Sequence, residues 1–156
     1  SDAPLLTIST DNLDPEGLTK PKRWEIGSVA RFMVFFGLIS SLFDIITIAF
    51  LIDLLRAAPE LFRTGWFIES VLSEIVVTFS IRTKRRFFES KPSNLLLIAS
   101  AVGVLLTGVV IYSPLGVLFE FVRPPVWFLA LVFGILATYF LLVEVLKHVF
   151  LNRYEI

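Results

Sequence analysis

Two carboxylates stand inside a run apolar enough to cross a bilayer. In GWFIESVLSEIVVTFSIRTKRR, Gly65 to Arg86, Glu69 and Glu74 precede a knot of positive charge. On an insertion scale an ionised group at the centre of a membrane helix costs roughly 2.5–3.5 kcal/mol. Each glutamate therefore needs either a partner inside a helix bundle or a cation to handle. Ser70, Ser73, Glu74 and Thr78 recur at three- and four-residue spacing, so they share one helical face with Glu74 near its middle. Lipid offers such a stripe no hydrogen-bond partner, so the stripe must turn toward protein or water. Read from position alone, Glu74 is an interhelical contact or an ion or proton carrier in equal measure. Glu69, five residues earlier and about 140° round the helix, is not an obvious mate for it and reads first as a packing contact.

A second stripe precedes the first: Gly37, Ser40, Ser41, Asp44 and Thr47. Close helix approach and interhelical hydroxyl bonds explain all of these except Asp44, which needs a partner. Ala99, Gly103 and Thr107 form a small-residue ladder, as do Ala130, Gly134 and Thr138, and both read as helix-packing faces. Glu144 and His148, one turn apart, read as a surface pair or cap, because two ligands make weak grounds for a metal site.

The elements that must hold these groups follow from composition. Of 156 residues 56% are hydrophobic, and sixteen are phenylalanine. The mean hydropathy is +0.81. These values belong to an all-α, polytopic membrane helical bundle. Four spans are predicted, at about 28–54, 61–81, 94–112 and 126–146, joined by short polar or Pro/Gly-containing links. Residues 1–27 read as the end of a preceding transmembrane helix and a cytoplasmic loop, and 28–156 as a four-helix membrane domain. That start is too polar for a signal peptide, and a chain opening on Ser1 is expected to be cut from a longer one.

Eleven of the fourteen basic residues fall on one side of these spans. They are Lys20, Lys22, Arg23, Arg31, Arg82, Lys84, Arg85, Arg86, Lys91, Lys147 and Arg153, against Arg56, Arg63 and Arg123 on the other. The positive-inside rule then makes both termini and the middle loop cytoplasmic. The Arg82 to Arg86 cluster reads as this topology signal, with attraction to anionic lipid. Net charge is zero and cysteine is absent. Bulk charge therefore points to no nucleic-acid partner, and thiolate metal sites and disulfides are excluded. With one histidine and no GxxxxGK[ST] or GxGxxG loop, the chain carries no catalytic residues and no cofactor-binding loop of its own.

The order of motifs resembles the C-terminal transmembrane region of P-type cation-transporting ATPases, from the end of helix six to helix ten. SDAPLLTISTDNLDPEGLTKPKRWEI resembles the end of the sixth helix and its cytoplasmic loop. RFMVFFGLISSLFDIITIAF and LFRTGWFIESVLSEIVVTFSIRT resemble the seventh and eighth helices of the magnesium-transporter-like branch. The last two spans are similar in hydropathy and position.

The resemblance implies the C-terminal membrane part of an ATP-driven pump at the plasma membrane, with Mg2+ the leading ion and Ca2+ or H+ open. It implies Mg2+ and ATP as requirements of the parent protein. The implied partners are the transported cation, the bilayer, and the parent's other helices and cytoplasmic domains. It places Asp2 and Glu74 on the transported-cation path, with Glu69 and Asp44 as secondary candidates; Asp44 in its FDI element reads as packing before ligation. Magnesium-type relatives usually carry an amide where Glu74 stands, and the Thr7 to Asp11 run resembles the proton-pumping branch. Asp11, Asp14, Glu16, Lys20, Lys22 and Arg23 are candidates to relay domain movement, though each singly reads as solvated loop. The rival readings are a self-contained four-span scaffold or assembly protein, and a small secondary transporter using Glu69 and Glu74.

Overall fold

The structure is a computed structural model that describes residues 3–7, 11–12, 26–54 and 58–154. Among the described residues six α-helices follow one another: α1 Ala3–Thr7, α2 Ile26–Ala49, α3 Pro59–Ile81, α4 Asn94–Tyr112, α5 Pro114–Leu118 and α6 Val126–Tyr154. No strand occurs among the described residues. Helices α2, α3, α4 and α6 are long and apolar enough to cross a membrane, over Ala30–Ile52, Pro59–Ile81, Asn94–Tyr112 and Val126–Leu151. The last helix continues beyond the predicted span to Tyr154.

Local chemistry sets the breaks. Pro59 occupies the first turn of α3, where its missing N–H costs nothing, and Glu60 lies in the same turn, favourable to the helix dipole. Ser93 caps α4 by accepting the Leu96 N–H at 3.2 Å. Ser113 ends α4 in an extended conformation (φ −93°, ψ 173°), as the residue before Pro114 prefers. Gly116 is required where the chain doubles back, since a Cβ there would lie 2.7 Å from the Ile111 carbonyl oxygen. Helix α2 does not end cleanly. Its last turn, Phe50–Leu54, is π-helical, a widened turn that interrupts the regular i→i−4 ladder.

Two apolar clusters hold the bundle. One joins Leu51 of α2, Ile68 of α3, Ile111 of α4, and Phe128, Val132 and Leu136 of α6. The other, toward the opposite end, gathers Phe36, Tyr139, Val143 and Phe150, with Val76, Val77 and Ile81 of α3 against them. The close fit of α3 to α6 depends on Gly65, whose absent Cβ leaves room for the Phe128 ring. The two small-residue ladders part company. Gly103 sits against Ile75, and Thr107 is buried, so that ladder packs α4 on α3. Ala130, Gly134 and Thr138 instead line an apolar groove between α6 and α2, and nothing lies within 4 Å of the position a Gly134 Cβ would take. The packing face predicted there is a groove wall, because α2 leans onto α6 further along, through Ser40, Phe43 and Phe36.

Candidate functional site

The polar stripe of α3 is built from hydroxyls that satisfy their own helix. Thr78 donates to the Glu74 carbonyl at 2.8 Å and Ser73 to the Ser70 carbonyl at 3.2 Å. The Glu74 carboxyl is thus left without these neighbours as partners. Its side chain is half-buried, with Oε1 enclosed and unbonded. Helix α1 packs against both α3 and α4. Asp2, which the family resemblance puts forward for the ion path, lies outside the described residues.

Glu69 behaves differently. It is 1% exposed, and neither carboxylate oxygen has a hydrogen-bond partner. Thr47 of α2 is also 1% exposed with an unbonded hydroxyl. Asp44, one turn before Thr47, is half-buried. One further turn along α2, Ser40 shares a 2.5 Å hydrogen bond with the Tyr139 hydroxyl of α6. The charge of Asp44 acts on Glu69, which puts these two carboxyls of α2 and α3 in one region. Among the described residues no three Asp, Glu, His or Cys side chains converge as a metal cage.

The Arg82 end of the bundle carries groups that the sequence reading misplaced. Arg82, read from the sequence as part of a topology signal attracted to anionic lipid, has a side chain that is 1% exposed and pairs with Asp11 at 3.0 Å. Arg82 also donates to the Ser90 hydroxyl at 3.4 Å, to the Phe87 carbonyl at 3.4 Å and to the Ser90 carbonyl. Asp11 takes the Ser93 N–H at 2.6 Å, and Asn12 donates to the Lys91 carbonyl at 3.1 Å. Burial alone would push the Asp11 carboxyl up; the Ser93 N–H and the Arg82 guanidinium outweigh it and hold the carboxyl below its ordinary range. Asp11 is thus no solvated loop residue, while Asp14, Glu16, Lys20, Lys22 and Arg23 lie outside the described residues.

Glu144 is likewise more than half of a surface pair. His148 lies 3.6 Å from it, but its nearer partners are Lys147 at 2.9 Å, the Ser80 hydroxyl at 2.6 Å and the Phe87 N–H at 3.0 Å. Lys147 is 1% exposed and also donates to the carbonyls of Ser80, at 3.0 Å, and Arg85, at 2.8 Å. An ammonium aimed at the last carbonyls of α3 meets the negative end of that helix. A lysine inside VEVLKHVF, three residues after a glutamate, was the available signal.

At the other end Arg63 pairs with Glu120, both exposed. Buried Thr64 accepts the Val122 N–H at 2.9 Å and donates to the Glu60 carbonyl at 2.8 Å, tying the α5–α6 link to α3.

Residues 2–149 match a family model described as Cation transporting ATPase, C-terminus. The chain is 34% identical, over 158 aligned positions, to Magnesium-transporting ATPase, P-type 1 of Escherichia coli (strain K12); the match covers 98% of this chain and 18% of that protein. Two proteins of the same name from Salmonella typhimurium (strain LT2) are 35% and 30% identical over 98% of the chain, which covers 18% and 17% of their length. The chain spans less than a fifth of these relatives' length. It belongs to the C-terminal membrane region of P-type cation-transporting ATPases.

Proposed function

We propose that this chain supplies the last four membrane helices of an ATP-driven pump whose first-choice ion is Mg2+, and that Glu74 and Asp2 lie on the ion path. The observation that carries this reading is the Glu74 carboxyl itself. It stands about two-thirds of the way along a helix long and apolar enough to span a membrane, half-open, with one oxygen enclosed and unbonded. A carboxylate so placed costs free energy unless a cation or a facing polar group completes it. Helix α1, which directly follows Asp2 in sequence, packs on α3, the helix that carries Glu74. The remaining oxygen ligands would come from helices upstream, since the described residues supply no third acid. Those same upstream segments would bind ATP and carry the phosphorylated aspartate, with Mg2+ as the nucleotide's companion.

The relatives' names favour Mg2+; the Glu74 carboxylate, where magnesium-type sequences usually carry an amide, keeps Ca2+ and H+ as alternatives. The excess of basic residues at the Arg82 end supports a reading in which that end and both termini face the cytoplasm, with the plasma membrane as the pump's location. A free-standing scaffold gains no support from family membership.

The test is ion-stimulated ATPase activity of the full-length protein. Glu74→Gln is expected to shift the cation concentration for half-maximal activity by tenfold or more, about 1.4 kcal/mol of lost cation binding. An unchanged cation dependence makes Glu74 a packing carboxyl.

A further inference from the structure

We propose that Asp44, Thr47 and Glu69 form a second divalent-cation site inside the membrane, between α2 and α3 and apart from the Glu74 route. The register of the two helices brings these residues together. Leu51 of α2 lies 3.8 Å from the point a Gly65 Cβ would occupy on α3. Phe36, near the start of α2, shares a cluster with Val76, Val77 and Ile81, near the end of α3, so the helices run antiparallel. One turn from Leu51 is Thr47, and one turn from Gly65 is Glu69; Asp44 follows on the Thr47 face.

Three unmet needs coincide there. Both Glu69 oxygens and the Thr47 hydroxyl are enclosed and unbonded. The charge of Asp44 acts on Glu69, and it is of the same sign. Tyr139, the titratable group facing them from α6, already shares its hydroxyl with Ser40. Two carboxyls so enclosed in a bilayer-spanning bundle can stay ionised together only when positive charge enters.

A divalent cation supplies equal and opposite charge. Mg2+ in particular is commonly held by one or two carboxylates while it keeps several of its waters, so it needs no all-protein cage. The Thr47 hydroxyl adds one hard oxygen. The π-helical turn at Phe50–Leu54 breaks the regular backbone ladder within a turn of Thr47, a feature that recurs at functional sites. The inference does not depend on Glu74 being a ligand.

The experiment is calorimetric titration of the purified full-length protein with Mg2+ alone, without nucleotide. Glu69→Gln and Asp44→Asn are each expected to remove one bound Mg2+ per molecule. Thr47→Val should weaken the same site roughly tenfold. Glu74→Gln, if the first reading holds, removes a different ion, so the Glu69→Gln/Glu74→Gln double variant loses two. Unchanged stoichiometry and affinity in folded Glu69→Gln and Asp44→Asn proteins overturn the site. Should Glu69→Gln fail to fold, Asp44→Asn decides by the same criterion. An ion count unaffected by Glu74→Gln but lowered by Asp44→Asn refutes only the Glu74 path.

Discussion

Arg82 and Asp11 stand 71 residues apart in the chain, yet their side chains meet at 3.0 Å and are 1% and 6% exposed. This contact joins the segment after α1 to the α3–α4 loop. Removing one member leaves the other buried and uncompensated, which typically costs 3–5 kcal/mol. Arg82→Ala is expected to lower the thermal unfolding temperature of the full-length protein and to speed proteolysis of the 82–93 loop. An unaltered cleavage rate would contradict the contact.

The same pair has a pH signature. The folded Asp11 carboxyl is held below its ordinary value of 3.8. A group depressed on folding contributes stability that is complete above its unfolded pKa and is lost as pH falls through the folded one. The stability gap between wild type and Asp11→Asn should therefore be flat from neutral pH down to about 5, and close below 3.8. Unfolding midpoints measured across that range test it; a gap that widens on acidification refutes it.

Lys147 is a second buried cation at the Arg82 end. It holds the Ser80 carbonyl at the end of α3, the Arg85 carbonyl in the loop beyond and both oxygens of Glu144. Lys147→Met keeps the aliphatic stem but removes the ammonium from both carbonyls and leaves the Glu144 charge unpaired, at an expected cost of about 3 kcal/mol. Glu144→Gln should be milder, since Ser80 can still donate to the amide oxygen. Equal unfolding midpoints for Lys147→Met and wild type would show that the ammonium is not the fastening.

Gly65→Ala tests the α3–α6 contact. The added methyl would meet Phe128 ring atoms at 2.5 and 2.8 Å, and Phe128 is fully buried. Overpacking of this kind costs roughly 1–3 kcal/mol. The variant should unfold at lower temperature, and Phe128→Leu on the same chain should recover part of the loss. Gly134→Ala, where space is open, should change little.

Tyr139→Phe removes the hydroxyl shared with Ser40, the polar tie between α2 and α6. The expected cost is about 1 kcal/mol, read as a small drop in the unfolding midpoint. A larger drop would mean that the hydroxyl supports more than this bond.

The sequence by itself determined the four apolar spans, the separate faces of Glu69 and Glu74, and the asymmetry of basic charge, because each depends on residues near in the chain. Helical periodicity fixes which side chains share a face within a few turns. Hydropathy fixes which segments favour lipid. What it left open was the identity of each polar group's partner. Arg82 looked like one more surface cation until the fold set it against Asp11, and Lys147 until α6 laid it over the end of α3. The Ala130, Gly134 and Thr138 ladder matched a packing motif, yet the lean of α2 left it lining a groove. Glu69 showed the difference most sharply. Its chemistry was legible in the sequence, but its complete enclosure arises only from the tertiary packing of the bundle, where α3 fits closely to α6 at Gly65.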